Sequence, residues 1–196
     1  MIKGFIVESR EECMREITDV LIPNKFFFYI AGQCRREPPA IEDENTLQIF
    51  EAAVSKLGAT EFEAELRFYR WGAWRIVAGT ERVVPVFKEA RAPARDMRQH
   101  PLHCMGYTIK AIQLGDEEHY QAYVEITREF LGLFEPRWLN FALKWSVEQI
   151  AKDFSQVDYV RYPQVLAEVE RILAVINERR EAAGLPLVPR DALFIT

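Results

Sequence analysis

The chain has 196 residues, 49% of them hydrophobic and 28% charged, enough to bury roughly 70% of its extended surface without help from a disulfide or a metal. A net charge of −5 argues against a general nucleic-acid binder but leaves room for a local basic patch. No run of about 18 uncharged apolar residues is present to span a membrane. The cysteines Cys13, Cys34 and Cys104 are odd in number and widely spaced. That pattern implies reduced thiols in a cytoplasmic protein, most simply as small buried hydrophobes. The first apolar stretch runs at once into Glu8, Arg10, Glu11 and Glu12, unlike a signal peptide.

In chain order, residues 2–7 predict a short first strand. Ser9 and Glu12 have the spacing of a capping box, and Cys13, Met14, Ile17, Val20 and Leu21 repeat at helical spacing up to Pro23. Phe26 to Ala31 is aromatic and β-branched, a buried strand broken by Gly32. A polar loop over residues 35–45 follows, with Asp43 as N-cap of a helix whose stripe is Leu47, Phe50, Ala53, Val54 and Leu57, stopped at Gly58.

Phe62, Ala64, Leu66 and Phe68 alternate with Glu63, Glu65, Arg67 and Tyr69, the period of a strand with one wet face. Trp71-Gly72 then turns into a second alternating run, Trp74, Ile76 and Ala78, completing a hairpin. Val83 to Phe87 reads as another strand, residues 88–101 as a basic surface loop, and Cys104 to Leu114 as one more strand. Three helices should close the chain. The first begins at Gly115 or Asp116 and carries Tyr120, Tyr123, Val124, Thr127, Phe130 and Leu131. The second, from Pro136, carries Leu139, Ala142, Trp145, Ile150 and Phe154. The third runs from Pro163 to Gly184. The expected fold is α+β: a central, mainly antiparallel sheet covered on one face, two N-terminal helices and a three-helix C-terminal region. One domain spans 1–196, with the sheet in residues 1–114, the C-terminal helices in residues 115–196, and no clear linker between them.

Charge is uneven along this order. Residues 67–98 hold Arg67, Arg70, Arg75, Arg82, Lys88, Arg91, Arg95 and Arg98 against Glu81, Glu89 and Asp96, a balance of +5. Residues 111–135 hold Arg128 against Asp116, Glu117, Glu118, Glu125, Glu129 and Glu135, a balance of −5. The plain reading is two solvated faces of opposite bias.

Few patterns carry chemistry. His100 and His103, beside Cys104, are loosely spaced for a metal and complete no known pattern. Tyr107 and Lys110 spell the nucleophile and lysine of a rolling-circle nuclease, but in an apparent strand, and the two histidines would fall on opposite faces of a strand. Glu61, Glu63 and Glu65 on one strand face are better read as solvated than as a Mg²⁺ site. No phosphate-binding glycine loop or nucleophile elbow is present, and no cofactor is implied. The most suggestive stretch is Arg67-Phe68-Tyr69-Arg70-Trp71-Gly72-Ala73-Trp74-Arg75. A hairpin presenting rings and guanidiniums stacks bases and neutralises phosphates, although Phe68 and Trp74 are also good core residues.

The strand Phe26-Phe27-Phe28-Tyr29-Ile30-Ala31-Gly32, the Arg70-Trp71-Gly72 turn, Gly106-Tyr107-Thr108-Ile109, and Asn177, Arg179, Arg180, Ala183, Gly184 and Leu185 together resemble a family of uncharacterised bacterial proteins encoded near plasmid and other mobile-element genes. The resemblance implies a genomic neighbourhood, not a reaction, and assigns no functional residue. The family's second helix is strongly basic, whereas Asn45 to Leu57 here offers Glu51 and Lys56. The expected function is a non-enzymatic nucleic-acid-associated module acting through Arg67, Arg70, Trp71, Arg75, Arg91, Arg95 and Arg98. The alternatives are a subunit that binds a protein partner or forms a homo-oligomer, and an enzyme using His100 or His103 as acid or base.

Overall fold

Alternating apolar and polar residues around a two-residue turn build the centre of the N-terminal unit. In a computed structural model describing residues 2–34, 39–115, 119–157 and 159–191, strands β3 (Leu66–Trp71) and β4 (Trp74–Gly79) form the expected hairpin. Gly72 occupies its turn at φ +54°, a backbone region that glycine enters without a Cβ clash. Trp71 lies opposite Trp74, and Phe68 opposite Val77.

Strands β1 (Lys3–Ile6), β2 (Phe28–Gln33) and β5 (Arg95–Asp96) complete a five-stranded sheet in the order β1-β3-β4-β2-β5. Only the β1–β3 pairing is parallel, so the sheet is mainly antiparallel and the fold is mixed α/β. Gly32 does not break β2; it lies within the strand, opposite Arg75.

Helix α1 (Arg10–Arg15) begins at Ser9, whose hydroxyl accepts the Glu12 amide at 3.0 Å. The Glu12 carboxylate accepts from the Glu8 amide, one residue before the cap, so the expected box is closed only on the serine side. A π-helical stretch, Glu16–Leu21, continues the helix. Helix α2 (Pro39–Leu57) starts six residues before the expected Asn45. Asp43 therefore lies inside the helix and is not its N-cap.

Val83 to Phe87 is not a strand. It is a 3₁₀ turn leading into helix α3 (Val84–Glu89), with Pro85 in the first turn, where its missing N–H costs nothing. The Phe62–Glu65 stretch of the expected strand is likewise 3₁₀ over Thr60–Glu65, so Glu61, Glu63 and Glu65 do not share a strand face. Phe50, Ala53 and Val54 of α2 and Val86 and Phe87 of α3 pack with Leu66, Phe68 and Val77 in one core cluster. Tyr69 alternates to the other side of β3, where it meets Glu16 and Cys13. Helices thus cover both faces of β3, not one.

Cys104 to Leu114 divides at a Met105-Gly106 turn into β6 (Leu102–Cys104) and β7 (Tyr107–Gln113). Residues 120–126, expected as helix, form β8 (Tyr120–Ile126), and the three strands make a second sheet in the order β6-β7-β8. Asp116, the alternative to Gly115 as the start of that helix, lies outside the described residues. Tyr120, Tyr123, Val124 and Thr127 satisfy a helical spacing while being strong strand formers; pairing with β7 decides between the two.

Among the described residues four helices follow: α4 (Arg128–Leu131), α5 (Glu135–Phe141), α6 (Val147–Gln156) and α7 (Pro163–Ala182). The single helix expected from Pro136 to Phe154 is broken because Ser146 and Gln149 form a reciprocal capping box that starts α6 afresh. Helix α7 runs from Pro163, as its sequence signals indicate. By density of contacts the chain divides into two compact units, Met1–Met105 with Ile109–Tyr123, and Gly106–Thr108 with Val124–Thr196. In the second, Trp138 stacks on Phe154 and donates its indole N–H to buried Asp153 at 2.8 Å, and Arg137 pairs with the same carboxylate. No described helix is long and apolar enough to cross a membrane.

Candidate nucleic-acid interface

The hairpin turns most of its rings inward. Phe68, Tyr69 and Trp74 are buried, and Trp71 alone of the four aromatic residues is half-exposed. Two of its arginines are held by carboxylates of α2. Arg70 Nε lies 2.5 Å from Asp43 Oδ2, and Arg70 Nη1 donates to the Gly72 carbonyl at 3.1 Å. Arg75 Nη1 is 3.4 Å from Glu42 Oε2. Arg67 donates to the carbonyls of Ala64 and Leu66 at 2.6 and 2.9 Å and places its guanidinium 5.1 Å from the Phe26 ring centre. All three hairpin arginines therefore already have partners of their own.

The same holds for Arg98. Its Nε and Nη2 make a forked contact with both oxygens of Asp96, 2.7 to 3.1 Å, and its guanidinium lies 4.7 Å from the Phe27 ring centre. Burial alone would raise the Asp96 carboxyl, but the hydrogen bonds and charge of Arg98 outweigh it and hold the group below the usual aspartate range. A folded pKa below the unfolded one means that the unfolded chain binds more protons. The contact therefore contributes stability above the usual aspartate range and loses it as pH falls through the lowered folded value. Arg98→Gln should flatten the acid limb of a melting-temperature profile between about pH 2 and 5; an unchanged limb would mean that Asp96 is stabilised by other groups.

Arg95 and Arg91 differ from these. Arg95, on β5, is exposed and hydrogen-bonds the Tyr29 hydroxyl, whose own proton goes to the carbonyls of His100 and Pro101 at 3.1 and 3.0 Å. Arg91, just past α3, is exposed and stands at φ +52°. With exposed Lys88, these are cations with no carboxylate partner among the described residues. The basic balance of residues 67–98 is reduced from outside that window: Glu42 and Asp43 from α2 take Arg75 and Arg70, and Glu65 takes Arg82.

Cys34 carries no signal in the sequence beyond its residue type, yet it lies beside this ion-paired group. Its thiol is 3.9 Å from Asp43 Oδ1, and its amide donates to the Ala73 carbonyl of the hairpin turn at 2.6 Å. Burial and the two carboxylates push the thiol up more than Arg75 and Arg70 pull it down. It is protonated at neutral pH and so lacks the thiolate that nucleophilic chemistry needs. Burial also pushes the Asp43 carboxyl up, despite Arg70 and Arg75 beside it.

The histidine-centred readings find little support in geometry. His100 and His103 are exposed, while Cys104, at the end of β6, is buried. Tyr107 is fully buried, its hydroxyl accepting from the Val160 amide at 3.0 Å, and Lys110 falls on the opposite, exposed side of β7. Among the described residues no three His, Cys, Asp or Glu side chains come together in a metal-holding group. The chain matches no model of a known protein family and no curated protein.

Proposed function

We propose that the protein is a non-enzymatic nucleic-acid-associated binding module of the kind encoded with mobile elements, and that it meets phosphates through the segment from Lys88 to Arg95 more than through the hairpin. The observation that carries this reading is the set Lys88, Arg91 and Arg95, three exposed cations within eight residues and without a carboxylate partner among the described residues. An unneutralised cation gains most from a phosphate, because it gives up no existing ion pair. Of the hairpin residues, Arg67 has no carboxylate partner among the described residues and Trp71 is half-exposed.

Fluorescence anisotropy with labelled single- and double-stranded oligonucleotides, across a salt series, tests it. Each phosphate neutralised contributes about −0.9 to the slope of log K against log salt for a duplex and about −0.7 for a single strand. Lys88→Gln/Arg91→Gln/Arg95→Gln should reduce that slope by about 2–3. Arg70→Gln/Arg75→Gln should leave it nearly unchanged. No binding at micromolar protein, or binding indifferent to salt, removes the reading.

A protein-interaction role is the second reading. Exposed Leu133, Phe141 and Leu143 lie close in sequence in the C-terminal unit, at 67%, 36% and 51% exposure, and Phe141 stacks on Trp145 at 4.4 Å. A mass that stays monomeric at high concentration would count against self-association through that surface.

A further inference from the structure

Helix α3 ends in a tight corner. The Arg91 amide donates to the Lys88 carbonyl at 3.0 Å and the Ala92 amide to the Phe87 carbonyl at 2.9 Å, while the Ala90 amide takes the Val86 carbonyl at 2.8 Å. The last carbonyls of the helix are thus satisfied within the corner itself, and the residue that makes the reversal has left-handed backbone. Glycine is the usual occupant of that position. Here it is arginine, and the residue lines a cavity.

The cavity measures about 610 Å³, within the roughly 300–1,000 Å³ range of small-molecule pockets. Phe28, Val84, Phe87 and the Ala92-Pro93-Ala94 strip supply its apolar lining. Among the described residues, the polar side chains in the lining are Lys88 and Arg91, both cationic. The described lining offers no hydroxyl, amide or carboxylate side chain to read a base edge, bind sugar hydroxyls or balance a cation. A ligand that fits this lining has an apolar body and a negative head.

The geometry points to a binding site for a small monocarboxylate with an apolar body, its hydrocarbon portion on half-buried Phe28 and Val84 and its carboxylate met by Lys88 and Arg91. Two cations on an apolar floor supply both halves of the recognition: contact area for the body, charge-assisted hydrogen bonds for the head. The site does not depend on the nucleic-acid reading, although it shares Lys88 and Arg91 with it.

Isothermal titration calorimetry with decanoate, 2-naphthoate and decanol tests the assignment. Decanoate or 2-naphthoate should bind at least tenfold more tightly than uncharged decanol, and the stronger of the two carboxylates identifies an alkyl or an aromatic body. Lys88→Gln/Arg91→Gly should weaken the carboxylate at least tenfold while leaving decanol unchanged. Ala94→Leu, which fills the cavity and keeps both cations, should weaken all three ligands but leave oligonucleotide binding intact. That last comparison separates failure of this site from failure of the nucleic-acid reading. Equal affinity for decanoate and decanol, carboxylate binding indifferent to both variants, or no binding at millimolar ligand would each overturn the assignment.

Discussion

Arg180→Leu should cost the C-terminal unit about 3–5 kcal/mol, because three carbonyls lose one shared donor at once. Arg180 is only 2% exposed. Its guanidinium donates to the carbonyls of Pro186 at 2.6 Å, Ala142 at 2.7 Å and Trp145 at 2.9 Å. Ala142 and Trp145 belong to the link where α5 has ended and α6 has not begun, so their carbonyls have no helical partner of their own. Pro186 follows α7, after Gly184 has ended it at φ +66°. One planar fork thus joins three segments, and lysine, with a single point charge, cannot replace it. Urea unfolding followed by far-ultraviolet circular dichroism should show the loss in the leucine variant and most of it in Arg180→Lys. A loss below about 1 kcal/mol in both would mean that the carbonyls find other donors.

Gly79→Ala should be nearly as damaging, at about 2–3 kcal/mol, through overpacking. A Cβ at this position would lie 2.4 Å from Val83 Cγ2, 3.0 Å from Phe87 Cε2 and 3.1 Å from Leu66 Cδ2. All three side chains are buried, Val83 and Leu66 completely, so none can move aside cheaply. The end of β4 approaches α3 at this point, and a methyl group would push α3 and Phe87 outward. The same denaturation experiment reads the effect. A variant as stable as the parent would show that α3 is not fixed against the sheet.

The hairpin and α7 were legible because local signals agree there. Alternation on both sides of Trp71-Gly72 marks the two strands of one hairpin, and Pro163, a regular apolar stripe and Gly184 mark both ends of α7. Residues 120–126 misled because their spacing serves a helix while their content serves a strand, and the partner that decides, β7, is not local. Val83 to Phe87 misled in the opposite sense: β-branched residues suggest a strand, but Pro85 suits a helix's first turn. The candidate interface was hardest to read because charge was counted along the chain. Asp43 and Glu42 stand 27 and 33 residues before the arginines they hold, and only the crossing of α2 behind β3 and β4 brings them together. Arg91 was visible as one cation among eight. That it stands in a left-handed corner over an apolar cavity follows from the end of α3, a segment whose β-branched residues read as a strand.

The three thiols also differ in a way their number does not reveal. Cys13 and Cys104 are sealed in the interior, Cys13 with its thiol pushed up to about 12, whereas Cys34 is half-exposed at the end of β2. For maleimide or iodoacetamide chemistry at alkaline pH, where the raised Cys34 thiol ionises, the folded chain is in effect a single-cysteine protein. A fluorophore or spin label can be attached beside the Asp43–Arg70 pair without any substitution, and a second site becomes reactive only when the interior opens.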